Sequence, residues 1–98
     1  MIRLENKETT IKKDEESNMT YSDLAIAVTN QESPKGFSVT DMKKRFRIIE
    51  ALESSKKDIE LEDEDFNNLK TLVNDMKWGM PHKDIVAFTD DINELEVK

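Results

Sequence analysis

The sequence predicts a mainly α fold: a compact three- or four-helix domain in residues 20–98 that follows a mobile N-terminal arm in residues 1–19. Two observations lead to this prediction. Apolar residues recur at steps of three and four in three segments, as on one face of an α-helix. The connections between these segments are short, which is typical of helices that pack against each other.

The N-terminal segment, residues 1–19, has few sizeable apolar side chains among many charges of both signs. Those apolar residues are Ile2, Leu4, Ile11 and Met19. Burying so few apolar groups offsets little of the conformational entropy lost on ordering. We therefore expect a mobile arm. A short strand from Ile2 to Leu4, or an arm that orders on a partner, is the alternative.

The first helical pattern follows a suitable N-cap, Thr20 or Ser22. Its apolar residues at helical spacing are Tyr21, Leu24, Ala25 and Val28. Leu24, Ile26 and Val28 also alternate as in a strand. We favour a helix here. Residues 33–36 then predict a turn, because proline presets the bend and glycine tolerates an unusual φ.

A second helix is predicted between Phe37 and Lys57. Ser38 can accept a hydrogen bond from the amide of Asp41, while Asp41 reaches back to the cap and Phe37 packs on Met42. These features are typical of a helix start. The predicted core-facing stripe is Met42, Phe46, Ile49 and Leu52, widened by Ile48 and Ala51.

Two more helices are predicted after Ile59 and Leu61, which alternate with acids as in a short strand or the start of the next helix. Asp63 or Asp65 is the expected N-cap of the third helix, whose stripe is Phe66, Leu69, Leu72, Val73 and Met76. This helix should end near Trp78, because Gly79 offers a C-cap and Pro81 cannot continue it.

The last predicted helix opens at Pro81, since proline is well tolerated at a first helical position. Its stripe is Ile85, Phe88, Ile92 and Leu95. Asp84 near the start suits the helix dipole.

Length and composition exclude several classes of function. A chain of 98 residues can bury one modest core but not a large ligand cavity beside it, which excludes a big enzyme. The chain has no cysteine and one histidine, which excludes a disulfide framework, a thiolate nucleophile and a Cys-based or multi-histidine metal site. We expect no cofactor, no bound metal and no catalytic residue.

No stretch of about 18 apolar residues and no apolar leader segment is present, so we expect no membrane span and no signal peptide. The expected location is therefore the cytoplasm, which is the host cytoplasm if the protein is viral.

Acidic residues dominate the charge: 22 Asp and Glu against 15 Lys and Arg leave a net charge of -7. The predicted acidic face comprises Asp58, Glu60, Glu62, Asp63, Glu64, Asp65, Asp90 and Asp91. A calcium loop starting at Asp58 fails, because Asp63 replaces the required glycine and Leu69 the required glutamate. The acids are either a solvated helix start, or a face for a basic partner, as in inhibitors that mimic nucleic acid.

A local basic patch precedes these acids and consists of Lys43, Lys44, Arg45 and Arg47. The overall negative charge opposes approach to a polyanion, so direct nucleic-acid binding is not expected. The patch is a solvated helix face, or it meets an acidic patch on a partner or a neighbouring copy. Trp78 and Met80 form a second candidate, either the closure of one end of the core or an anchor for a partner.

Two stretches of sequence resemble known proteins: GFSVTDMKKRFRIIEALE and, after an acidic link, FNNLKTLVNDMKWGMPHKDIVAFTDDI. Together they make residues 36–92 similar to small acidic uncharacterised accessory proteins of tailed bacteriophages. The resemblance implies a viral accessory role, either in particle assembly or against a host machine. It implies no particular site residue.

These observations predict a non-enzymatic protein–protein interaction module, such as an assembly or adaptor protein, whose partner has a basic surface or is another copy of the chain. The alternatives are an acidic inhibitor of a nucleic-acid-binding enzyme and an antitoxin-like binder. Salt distinguishes the first two, because an acidic mimic loses affinity steeply as salt rises and an apolar contact changes little.

Overall fold

A computed structural model of the chain describes residues 1–31 and 35–95. Its elements in chain order are β1 (Ile2–Glu5), β2 (Glu8–Lys12), β3 (Asn18–Thr20), α1 (Tyr21–Thr29), α2 (Val39–Glu53), β4 (Asp58–Leu61), α3 (Asp63–Asp75) and α4 (Lys83–Glu94). The strands form two antiparallel two-stranded sheets, β1 with β4 and β2 with β3. The fold is therefore α+β, and the prediction of a mainly α helical bundle is wrong.

The N-terminal segment accounts for most of this difference. Leu4 on β1 lies opposite Ile59 on β4, and Ile2 lies opposite Leu61. Ile2 and Leu4 pack against the core. The expected mobile arm is replaced by three strands, because β1 satisfies its backbone on a strand from far along the chain. The alternative of a short strand from Ile2 to Leu4 agrees with β1.

Strand β4 shows the two-residue alternation of a half-buried strand. Ile59 and Leu61 are buried, whereas Glu60 between them is exposed. Of the two structures predicted for this stretch, the extended one is correct. The carboxylates of β4 consequently point away from the core.

Helix α1 begins where its cap was predicted. Thr20 accepts a hydrogen bond from the Asp23 amide, and the Asp23 side chain accepts one from the Thr20 amide. This reciprocal capping box satisfies donors that the first turn leaves free. Of the turn that was predicted next, Ser33 and Pro34 lie outside the described residues. Gly36 has a φ of 75°, which glycine adopts without strain.

Helix α2 begins as predicted, with Ser38 Oγ accepting from the Asp41 amide at 3.1 Å. The Asp41 side chain does not complete the cap, because its Oδ2 accepts a hydrogen bond from Arg45 Nε at 2.8 Å. The helix ends at Glu53, before Lys57.

The stripe predicted for α2 is only partly correct. Ile48, Ile49 and Leu52 are buried, whereas Met42 and Phe46 are exposed. The helix is thus turned so that part of its apolar surface lies outside the core.

Helices α3 and α4 differ from the predictions at their ends. Glu62 is the residue before α3 and makes no side-chain cap bond, so neither Asp63 nor Asp65 is the cap, and the helix ends at Asp75 rather than near Trp78. His82 caps α4 in place of Pro81 at its first position: its Nδ1 accepts from the Asp84 amide at 3.0 Å.

One apolar core joins the helices to both sheets. Its largest fully buried side chains include Leu24 of α1, Ile48 and Leu52 of α2, Phe66 of α3, and Phe88 and Ile92 of α4. No helix of the described residues is long and apolar enough to cross a membrane.

Candidate functional site

Three apolar side chains on α2 lie outside the core. Val39 is 66% exposed, Met42 38% and Phe46 60%. Steps of three and four residues place them on one side of the helix. Single exposed apolar residues are common on proteins, but an aligned set on one ordered helix is typical of a contact surface.

The position of this set follows from the way α2 meets its neighbours. Ile48 and Leu52 are fully buried and turn one side of the helix toward the core. At 100° per residue, Val39 lies on the side opposite Ile48. Thus the residues that anchor α2 to the core also direct Val39 and Phe46 to solvent.

Two residues of the predicted basic patch are engaged within the fold. Arg45 Nη1 donates to the Thr29 carbonyl at 2.9 Å, and its guanidinium lies 4.5 Å from the Phe37 ring centroid. Arg47 contacts Asp65 Oδ1 through both Nε and Nη2 at 2.7 Å. These arginines hold α1 and α3 against α2 and leave little charge for a partner.

The other two residues of the basic patch remain accessible. Lys43 and Lys44 are exposed, and neither forms an ion pair with any acid in the described part of the chain. Glu50 and Glu53 are also exposed on α2, and their carboxylates likewise have no cationic partner among residues 1–31 and 35–95. We call Val39, Met42, Lys43, Phe46 and Glu50 the α2 face.

The predicted acidic face is partly neutralised by ion pairs within the protein. Glu60 pairs with Arg3 at 2.9 Å, and Asp63 pairs with the amine of Met1 at 2.9 Å. Arg47 lies 3.8 Å from Glu64 as well as against the buried Asp65. Asp58 and Glu62 have no ion pair among the residues described. Pairing lowers the field that this surface presents to a basic partner.

The two C-terminal acids of the predicted face have different surroundings. Asp91 accepts hydrogen bonds from Tyr21 Oη at 2.7 Å and from Lys7 Nζ at 3.2 Å. The hydrogen bond from Tyr21 and the charge of Lys7 lower the pKa of Asp91. Asp90 is exposed and lines a shallow groove beside Trp78. Asp91 is therefore engaged within the fold, whereas Asp90 is open to solvent.

A further contact joins the hairpin formed by β2 and β3 to α4. Asp84 Oδ2 accepts from the Thr10 amide at 2.8 Å and from Thr10 Oγ1 at 2.6 Å, and these bonds lower the pKa of Asp84. This contact is not predictable from the sequence, because nothing in the pattern around Thr10 or Asp84 indicates that the two residues meet. Asp84 therefore has a structural role, since it holds β2 against α4.

The second candidate site, Trp78 with Met80, lies beyond the end of α3. Trp78 is half-buried and packs against the core, and it shares the shallow groove with Met76 and Val86. Met80 is exposed. The structural interpretation of Trp78, closure of one end of the core, is the one that this packing favours.

The internal space is small. An apolar void of about 10 Å³ lies between the sheet residues Leu4 and Ile59 and the helix residues Phe66, Phe88 and Ile92. It has room for about one water molecule and offers it no polar partner. No group of three or more His, Asp or Glu side chains in the described residues is arranged to hold a metal ion.

Comparison with known proteins found no matching protein family, no matching curated protein and no matching solved structure.

Proposed function

We propose that the chain is a non-enzymatic protein–protein interaction module that binds its partner through the α2 face. The observation that carries this proposal is the exposure of Phe46 together with Val39 and Met42 on one side of a well-packed helix. Aromatic and methionine side chains are enriched in the buried centres of protein interfaces. A partner that covers them gains the free energy of burying this apolar surface.

The form of the α2 face favours a helical partner. Apolar residues separated by three and four positions are the anchors by which helices pack on each other or lie in a groove. An assembly or adaptor protein uses such a contact, and the resemblance to bacteriophage accessory proteins adds support for that role.

The acidic inhibitor is the less favoured alternative. Glu60, Asp63 and Asp65 each have a cationic partner within the chain, and Asp91 is bound by Tyr21 and Lys7. A mimic of nucleic acid needs unpaired, regularly spaced charges to compete for a basic channel. Loss of binding at high salt is the property that distinguishes such an inhibitor from the proposed apolar contact.

A pull-down with matched variants tests the proposal. The full chain is immobilised as wild type, as Phe46→Ser and as Val86→Ser, incubated with lysate of the cells in which it occurs, and washed at low and then high salt. Val86 is 59% exposed on α4 and serves as the control. We expect wild type and Val86→Ser to retain the same proteins through high salt, and Phe46→Ser to lose them.

Two results would contradict the proposal. If Phe46→Ser retains the full set of proteins, the α2 face is not the interface; loss from Val86→Ser alone would assign binding to the groove beside Trp78. If salt releases every bound protein from the wild type, the acidic inhibitor becomes the better interpretation. Circular dichroism and thermal unfolding of each variant confirm that the fold is kept.

A further inference from the structure

The α2 face carries balanced charge, although the chain as a whole has a net charge of -7. Lys43 lies in the N-terminal half of α2, and Glu50 lies in its C-terminal half. Both are exposed and without ion pairs within the described residues. A strongly acidic or strongly basic partner would leave one of these two charges facing like charge.

The order of these charges fits an antiparallel copy of the same helix. In an antiparallel pair whose two-fold axis passes beside Phe46, the N-terminal half of each helix faces the C-terminal half of the other. Lys43 of each copy then faces Glu50 of the other. A parallel arrangement would bring the lysines of the two copies to one end and the glutamates to the other.

Phe46 is the apolar residue on which such a pair closes, because the two Phe46 side chains meet at the two-fold axis. Val39, Met42 and Phe46 follow one another at three and four residues, as along the seam of two packed helices, and Ile49 continues the series where the seam meets the core. Lys43 and Glu50, each one residue after a seam position, flank that seam, where charged residues select partner and orientation. The exposed seam residues and their charged flank therefore lie on the same side of α2.

We infer that a second copy of this chain packs on the α2 face, antiparallel to α2, with Lys43 of each copy paired with Glu50 of the other. This inference rests on the proposed function and names its partner. A single helix face is smaller than the roughly 800 Å² per partner of a stable interface. The dimer is therefore reversible and forms at high protein concentration.

Sedimentation equilibrium of the purified full chain, over concentrations that reach the millimolar level, tests this inference by charge exchange. Lys43→Glu places two carboxylates opposite each other across the interface, and Glu50→Lys places two ammonium groups opposite each other. We expect each variant to raise the dimer dissociation constant roughly tenfold or more. The combined variant Lys43→Glu/Glu50→Lys restores opposite charges and should recover dimerisation.

Lys44→Glu is the matched control, because it makes the same charge change at the residue next to Lys43, outside the α2 face. We expect it to leave the dissociation constant close to the wild-type value. Phe46→Ser should abolish the dimer, since it removes the side chain nearest the two-fold axis.

The outcomes separate this inference from the proposed function. A wild-type chain that stays monomeric at every concentration, or a dimer that the combined variant does not restore, overturns the antiparallel pairing. If the purified chain is monomeric and Phe46→Ser still loses a different captured protein, the proposed function stands with another partner. If Phe46→Ser alters neither dimerisation nor capture, both the antiparallel dimer and the proposed binding through the α2 face are wrong.

Discussion

The hydroxyl of Tyr21 donates a hydrogen bond of 2.7 Å to Asp91 Oδ2 and so joins α1 to α4. The Tyr21 ring meets the Phe88 ring edge to face, with centroids 5.1 Å apart. Burial of Tyr21, and then its hydrogen bond to Asp91, raise the pKa of the phenol. Tyr21 is thus both a core residue and the donor that orients Asp91.

Replacing Tyr21 by phenylalanine should lower the free energy of unfolding by about 1–2 kcal/mol, because it removes a hydrogen bond to a charged acceptor. Urea denaturation measures this change. The matched variants Asp91→Ala and Tyr21→Phe/Asp91→Ala complete a double-mutant cycle. Strict additivity of the two single losses would show that the bond contributes no stability.

Stability should fall in acid. The hydrogen bonds from Thr10 lower the pKa of Asp84, and the one from Tyr21 lowers the pKa of Asp91, both relative to an ordinary value of 3.8. A carboxyl with a lowered folded-state pKa stabilises the fold above its unfolded pKa, and this contribution is lost as pH falls through the folded pKa.

The free energy of unfolding should therefore decline as pH is lowered below 3.8, toward the pKa values of the folded state. Urea denaturation at a series of pH values measures the slope. Asp84→Asn should make the slope shallower, because it removes one of the two carboxyls with a lowered pKa. Equal slopes for wild type and Asp84→Asn would be incompatible with this assignment.

Arg47 should be important for stability, although it belongs to the basic patch that was predicted to contact a partner. Arg47→Leu leaves the buried carboxylate of Asp65 without its partner, so we expect a loss of about 2 kcal/mol in thermal or chemical unfolding. Lys44→Leu removes an unpaired exposed charge and should change stability little. Similar effects of both substitutions would mean that the Arg47 contact contributes little.

The N-terminal strands should be protected from amide hydrogen exchange. The Asn6 amide donates to the Lys57 carbonyl at 3.0 Å, and the Tyr21 amide donates to the Lys7 carbonyl at 2.9 Å. Exchange at Asn6 should therefore be slower than in a free peptide. Nuclear magnetic resonance measures it residue by residue. Exchange at free-peptide rates throughout residues 2–12 would instead support the mobile arm.

The helices were predictable because their signals are local. The hydrogen bond between Ser38 and Asp41 involves neighbours in sequence, and the spacing of Phe66, Leu69 and Val73 identifies a buried face without reference to another element. All three of those apolar residues are buried. The end of α3 was less predictable. Gly79 and Pro81 set the latest position at which the helix can end, but they do not identify its last residue.

The strands and the α2 face were less predictable because they depend on distant contacts. Ile2 and Leu4 are too few to predict a strand until Ile59 and Leu61 are known to lie opposite them. In α2, Phe46 and Ile49 belong to one wide apolar surface, and periodicity alone does not tell which part a neighbour covers. The ion pairs of the predicted acidic residues were not predictable for the same reason: Arg3 and Arg47 reach Glu60 and Asp65 only in the folded chain.

The pairing of residue 2 with residue 61 also predicts an order of events during folding. The β2–β3 hairpin and α1 can form from adjacent sequence, but β1 has no partner until most of the chain is available. Until then its edge remains open to any other extended segment. We expect closure of β1 on β4 to be a late step, so that nascent or partly unfolded chains are the species most prone to aggregate.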